Sequence, residues 1–340
     1  MTPQRAVTLK DVAQHAGVSV RTVSNVVNDW PHVTPALRQR VQASIDKLGY
    51  RPNLTARNLR SGRTGMIGVV VPDIRSQYFA ELTQCLIKEF SDQDFTVVIE
   101  QTDGKLARER EILLGTSRST LFDGVVFSTV ALSSEEFAHR KFVAPVVLLG
   151  EQLGAEADHV LIDNVRAART ATSHLVQIGR RRIAFIGRQE QPTGTALLRE
   201  QGFRQVLDEA GLPCIEALMP VATSYSYEAG ARAARQLIAA DQQPDAAFCS
   251  TDSMALGAMH ELRRAGFLIP RDIAVVGFDD IEEGRYSNPT LSSISPDKSG
   301  IAATAARLLV ARLKGEAGPA ELIYVDHHLA IRESSHVDVA

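Results

Sequence analysis

Cysteine is scarce in this chain: Cys85, Cys214 and Cys249 lie far apart and form no CxxC pair. Three isolated thiols build neither a zinc cage nor a disulfide framework, so they read as reduced, buried side chains. Long apolar runs are missing as well. No stretch of about 18 apolar residues occurs, and the opening MTPQRAVTLKDVAQ holds no apolar segment of signal-peptide length, so no membrane span or secretory leader is expected and the chain reads as cytoplasmic. Catalytic signatures are also lacking. There is no GxxxxGK[ST] loop, no GxGxxG after a strand, no GxSxG elbow and no HExxH, and His260-Glu261 wants the second histidine. The expectation is a protein that is not an enzyme and that holds no metal and no cofactor.

What is present is an ordinary bulk with an uneven charge. The 340 residues are 44% hydrophobic and 23% charged, enough to bury one large core or two and too apolar for disorder. The net charge of -3 hides two opposite halves. Residues 1–63 carry ten Lys/Arg against three Asp, a net of +7, and the remainder carries 27 against 37, a net of -10. A basic head on an acidic body suits a polyanion bound at one end, because phosphate contacts dominate nucleic-acid affinity.

The head reads as three short helices. In Leu9 to Ala16 the apolar residues recur at helical spacing, and Gly17 ends the run. Ser19 is a good N-cap for a second helix in which Val20, Val23, Val26 and Val27 supply apolar positions while Arg21, Thr22 and Asn25 face outward. Thr34-Pro35 opens a third helix with Leu37, Val41, Ile45 and Leu48 on one face, closed by Gly49. Two helices joined by a glycine turn make a helix-turn-helix. Arg21 and Asn25 carry donors suited to base edges, whereas Ser19, Thr22 and Ser24 suit capping or phosphate. The following basic run, Arg51 to Arg60, has length for about two helical turns, too short to be stable alone. Ser61-Gly62-Arg63-Thr64-Gly65 is a joint.

The ordered segments VTLKDVAQHAGVSVRTVSNVVN, HVTPALRQRV, LGYRPN and ARNLRSGRTGMIGVV closely resemble the LacI/GalR family of bacterial regulators. The later segments LVQIGRRRIAFIG, Arg199 to Phe203, STDSMALGAM, DIAVVGFDD, NPTLSSI and LAIRESS agree, so the resemblance spans the chain. It implies DNA contacts at Thr8, Ser19, Val20, Arg21, Thr22, Asn25 and Asn28. It also implies a hinge helix with Arg57 and Leu59, where Leu59 either wedges into the minor groove at the operator centre or packs against its partner hinge. Asn25 departs from the arginine often found at its position. The implied protein is a transcriptional regulator, most simply a repressor, that binds palindromic operator DNA as a homodimer under control of a small-molecule effector, a sugar or oligosaccharide.

From Met66 on, apolar runs alternate with helical patterns: Met66 to Val71, Thr96 to Ile99, Gly124 to Ser128, Val146 to Leu149, Ile183 to Gly187, Ala246 to Ser250 and Ile273 to Gly277. This alternation argues parallel sheets with crossover helices. The expected class is α/β: an all-α helix-turn-helix head (1–50), a hinge helix and linker (51–64), then a two-lobed, periplasmic-binding-protein-like domain of doubly wound parallel sheets (65–340). The lobes are expected at 65–162 plus 291–322 and at 163–290 plus 323–340. Ligands of such sheets sit beyond the carboxyl ends of the strands. That rule selects Asp73 to Phe79, Asp163 and Asn164, Arg199, Thr251 and Asp252, and Asp279; Glu151 also sits at a strand end. By the resemblance, Tyr78, Phe79, Asp163, Thr195, Arg199, Tyr225, Thr251 and Asp279 match effector-contacting positions. Carboxylates, a guanidinium fork and stacking aromatics suit a polyol. Asp163 and Asp252 read equally as helix caps and Phe79 as core, and His327 and His328 read as structural or exposed. The ending SSHVDVA shows no heptads, so no coiled-coil tail is expected.

Overall fold

The computed structural model describes residues 7–27, 30–50, 63–113, 121–138, 144–151, 153–154, 156–190, 194–240, 243–316 and 318–336. The chain divides into two units, Met1–Thr64 and Gly65–Ala340. Asn28, Arg57 and Leu59, and residues 51–62 of the expected hinge, lie outside the described residues.

In the first unit, helix α1 (Leu9–Ala16) opens on a capping box: Asp11 N–H donates to Thr8 Oγ1, and Thr8 N–H returns a bond to Asp11 Oδ2 at 2.8 Å. Two of the helix's unpaired N–H groups are thereby satisfied. Helix α2 (Val20–Val27) starts with Thr22 N–H donating to Ser19 Oγ at 3.1 Å. Helix α3 (Pro35–Leu48) has proline at its start, while the Thr34 side chain makes no cap bond. Val12, Ala13, Ala16, Val23, Val26, Val41 and Tyr50 are buried together. Val20, expected on this apolar face, is instead 41% exposed. As the first residue of its helix it precedes the stripe formed by Val23 and Val26, and its side chain remains available at the surface.

The second unit holds two sheets. The first has the order β10-β5-β4-β3-β1-β2, built from Leu322–Val325, Asp158–Ile162, Val146–Leu149, Gly124–Ser128, Met66–Val71 and Thr96–Gln101, all parallel. The second has the order β11-β9-β8-β7-β6, built from His327–Ala330, Ser292–Pro296, Ala274–Phe278, Ala246–Cys249 and Ile183–Ile186, with only β11 antiparallel. Central strands such as β3 and β8 are buried along their whole length, as a parallel sheet covered by helices on both faces requires. Cys249 is buried, and Cys85 and Cys214 are half-buried. Among the described residues no helix is long and apolar enough to cross a membrane.

The expected return to the first lobe at 291 is corrected. Ser292–Pro296 pairs with β8, so the chain leaves the second sheet only after Pro296, and helix Lys298–Leu313 then packs on the first sheet. Leu322–Val325 pairs as a block with β5, so the last crossing falls after Val325 rather than 322. The hydroxyls of Ser292, Ser293 and Ser295 are spent inside the fold. Ser292 Oγ donates to Arg332 C=O at 2.9 Å, Ser293 Oγ to Asp252 at 2.7 Å and Ser295 Oγ to Asp280 at 2.9 Å. The closing Arg-Glu-Ser-Ser has the same logic. Arg332 donates to Asp280 Oδ1 and to Leu291 C=O, both at 2.6 Å, and Ser334 Oγ donates to Val275 C=O at 2.7 Å.

Helices Tyr227–Ile238 and Asp252–Arg264 cross almost backbone to backbone. A Cβ on Gly257 would lie 1.9 Å from Tyr227 O, and one on Gly230 would lie 2.0 Å from Met254 O. A carbonyl on a packed helix cannot swing aside as a side chain would. Gly257→Ala is therefore expected to destabilise the second unit by about 1–3 kcal/mol, read as a lower urea midpoint at unchanged m-value.

Candidate functional site

Four of the predicted residues converge from both lobes of the second unit. Tyr78 lies in the first turn of helix Gln77–Ser91 of the first lobe. Arg199 lies in helix Gly194–Glu209, Tyr225 precedes helix Tyr227–Ile238, and Asp279 follows β8 in the second lobe. Burial and then the charges of Asp279 and Arg199 shift the Tyr78 phenol, and burial and then Arg199, Glu151 and Asp279 shift that of Tyr225. Ligands of open α/β sheets gather at the carboxyl ends of the strands, where these residues stand.

Arg199 is its braced centre. Nε donates to Asn164 Oδ1 at 2.9 Å, Nη1 donates to Ser250 C=O, and the guanidinium carbon sits 3.5 Å over the Phe278 ring. Those three anchors come from the ends of β5, β7 and β8, so the fork is preorganised by the sheets themselves. Nη2 has no hydrogen-bond partner among the described residues.

Asp279 is buried, with a φ of 107°, and Asp280 beside it has a φ of 47°. Such angles cost free energy in a non-glycine residue. The turn is held by Asp279 N–H donating to Ile294 C=O at 2.9 Å, and by Lys298 Nζ donating to Asp280 C=O at 3.0 Å. Burial pushes the Asp279 carboxyl up to about 7 against the opposing pull of Arg199 and Lys298. The Tyr78 and Tyr225 phenols are likewise raised by burial.

Glu151, two residues beyond β4 of the first lobe, reaches the second lobe. Both its carboxylate oxygens accept from Thr195 N–H, at 3.0 and 3.1 Å. Burial raises its carboxyl, opposed by those bonds and by Arg199. Gly194 beside it has a φ of 52°, which favours glycine, and an added Cβ there would lie 1.8 Å from Glu151 Oε2 and push that side chain aside. The predicted Thr195 thus enters the site through its backbone, four residues before Arg199.

Other predicted residues do different work. Asp163 Oδ1 accepts from Arg166 N–H at 2.9 Å, the capping alternative, while its neighbour Asn164 holds Arg199. Thr251 caps helix Asp252–Arg264, its Oγ1 accepting from Met254 N–H at 3.3 Å. Asp252 is therefore not the cap: its oxygens accept from Ile281 N–H and Ser293 Oγ, and burial holds its carboxyl well above the usual range. Phe79 packs on the core with its ring 5.2 Å from that of Tyr78. His327 and His328 lie on the antiparallel strand β11. Gln189, which donates to Tyr225 Oη at 2.8 Å, had no sequence signal, and neither did Ser250 or Phe278. A cavity of about 720 Å³ is lined by Glu81, Cys85, Arg285, Tyr286, Lys298 and His327, and its Lys298 and Glu81 also act on the Asp279 carboxyl. Its cations are already paired, Lys298 with Glu81 and Arg285 with Asp280.

In the first unit, Val20 and Arg21 are exposed and Thr22 and Asn25 half-buried on helix α2. The Ser19 hydroxyl bonds Thr22 Oγ1 at 2.9 Å as well as its N–H. Thr8 is committed to the capping box.

Residues 8–53 match the model of bacterial regulatory proteins of the lacI family, and residues 172–335 that of a periplasmic binding protein-like domain. Catabolite control protein A of Priestia megaterium is 33% identical over 97% of this chain and 99% of its own. A solved complex of the transcriptional regulator CelR with cellobiose is 30% identical, covers 96% of this chain and 99% of its own, and has a TM-score of 0.70. A lac repressor dimer bound to operator and an anti-inducer, at 24% identity, shares the fold with a TM-score of 0.84 over 98% of this chain and all of its own.

Proposed function

The chain belongs to the lacI family of bacterial regulatory proteins, and from that premise we propose that effector recognition centres on Arg199, Asp279, Tyr78 and Tyr225, and operator recognition on Arg21 and Asn25. The protein is a sequence-specific DNA-binding transcriptional repressor that works as a dimer and answers to a sugar effector. The observation that carries the cleft assignment is the bracing of Arg199 by β5, β7 and β8 within electrostatic reach of Asp279, Glu151 and both tyrosines.

The cleft's charge selects the kind of ligand. Asp279 is a buried carboxyl and Glu151 a half-buried one, and both feel one guanidinium already engaged by Asn164, Ser250 and Phe278. A phosphorylated ligand would meet more negative than positive charge in a desolvated site, whereas hydroxyls donate to carboxylates and accept from Nη2. An uncharged sugar fits, in line with the cellobiose bound by CelR. The protein acts in the cytoplasm and performs no chemistry on this ligand. Binding changes the lobe geometry and with it the population of the operator-competent state.

A thermal-shift screen of mono- and oligosaccharides, including cellobiose and ribose, tests this reading. A ligand at 100 times its Kd stabilises by about 2.7 kcal/mol, and it should then change operator affinity about 5- to 150-fold. Unchanged operator affinity with a sugar demonstrably bound sinks the coupling. On the DNA side, Asn25→Ala is expected to cost about 1–3 kcal/mol on the operator and little on nonspecific duplex. Equal losses on both in an anisotropy titration would reassign Asn25 to a phosphate.

A further inference from the structure

Trp30 is the only tryptophan in the chain, and it stands on the DNA-binding unit with 53% of its surface exposed. Its backbone is fixed from both sides. The N–H donates to Asn25 C=O of helix α2 at 2.9 Å, and the C=O accepts from Arg38 Nη2 of helix α3 at 3.0 Å and from Val33 N–H at 3.3 Å. The backbone of Trp30 is therefore anchored at the end of the helix that carries Arg21 and Asn25, and among the described residues the ring's aromatic neighbour is His32, edge-on at 6.3 Å. An indole offers an apolar face and one N–H donor. A duplex backbone presents their complements, deoxyribose and phosphate oxygen, and the +7 charge of residues 1–63 brings such a polyanion to this surface.

We propose that Trp30 is a DNA-positioning residue, its ring lying against the sugar-phosphate backbone beside the bases read by helix α2, with its Nε1–H donating to a phosphate and His32 supporting it. The contact orients the reading helix without reading sequence itself. The proposal rests on the DNA-binding role of the first unit and extends it to a residue outside the helix-turn-helix pattern.

As the sole tryptophan, Trp30 reports on itself. The full-length protein is titrated with a duplex it has selected from a random pool, following intrinsic emission alongside fluorescence anisotropy of the labelled DNA. Emission should change in step with anisotropy. Trp30→Ala should weaken selected and unselected duplexes alike by about tenfold, or 1.4 kcal/mol, with an unaltered melting temperature because the ring is exposed. Trp30→Phe, which keeps a ring but lacks the N–H, should fall between the two. Unchanged emission on DNA that anisotropy shows to be bound overturns the proposal and leaves the DNA-binding reading standing. So does a loss confined to the selected duplex, or an emission change caused by dilution of the dimer without DNA, which would mark a protein-protein surface. Absence of DNA binding by anisotropy would instead overturn the underlying reading.

Discussion

Arg199→Ala is expected to weaken effector binding by at least about a hundredfold while operator affinity in the absence of effector stays within about threefold. Hydrogen bonds to a charged group contribute about 1.5–3 kcal/mol each, and 1.4 kcal/mol is a factor of ten. Two ligand bonds through the Arg199 fork therefore account for a hundredfold at the low end. The variant also leaves Asn164 Oδ1 and the Ser250 carbonyl without their donor and strips the Phe278 face of its cation, so some loss of thermal stability accompanies it. Arg199→Lys separates the two effects. A lysine keeps the charge near Asp279 but cannot bond Asn164 and Ser250 together and still present a planar fork, so effector binding should fail almost as completely. Calorimetry with the sugar found by screening and anisotropy with the operator give both readouts. A loss below about fivefold, or parallel loss of operator binding, would remove Arg199 from the centre of the site.

Much of the architecture was readable because it depends on local pattern. The runs Met66–Val71, Gly124–Ser128 and Val146–Leu149 coincide with the strands observed, since strands buried on both faces are continuous apolar stretches with sharp ends. Ser292–Pro296 belongs to the second lobe rather than the first, held there by pairing with β8 and by hydroxyl partners far along the chain, at Asp252, Asp280 and Arg332, which no local pattern announces. The site divides the same way. Asp279 stands out as a charged residue at a strand end, where ligand chemistry gathers, whereas Arg199, also expected at a strand end, lies within helix Gly194–Glu209 and reaches the strand ends through its long side chain. Ser250 acts through a carbonyl, Phe278 through the face of its ring, Glu151 through a backbone N–H 44 residues on and Gln189 through a tyrosine 36 residues away. Of these only Glu151 has a local signature, its place at a strand end, because side-chain identity does not say which long-range partner a fold will supply. Asp163 shows the converse: a carboxylate at a strand end that serves the helix it precedes.

Asp279→Asn is expected to stabilise the effector-free protein at pH 8 and to leave it nearly unchanged at pH 4. The folded-state carboxyl titrates near 7, against 3.8 for an ordinary aspartate. At low pH the residue is protonated in both states and contributes nothing. As pH rises through about 4 the unfolded chain releases its proton while the folded one keeps it, so stability declines until the folded pKa near 7 and is flat beyond. At 1.36 kcal/mol per unit, the full span is roughly 4 kcal/mol. Asparagine has no charge to desolvate and tolerates the positive φ at this position better than alanine would, so the variant escapes the decline without new strain. Relief also reaches the buried Asp252 carboxyl, which the Asp279 charge helps to raise, and this acts in the same direction. Urea unfolding at half-unit steps from pH 4 to 8 gives the wild-type-minus-variant difference, which should widen up to about pH 7 and then level off. A difference independent of pH would mean that Asp279 ionises freely in the empty cleft. The same charge gives the cleft its grip: a sugar hydroxyl donating to ionised Asp279 replaces the water that burial removed, so effector binding should tighten as pH rises toward 7, and Asp279→Asn should abolish that slope.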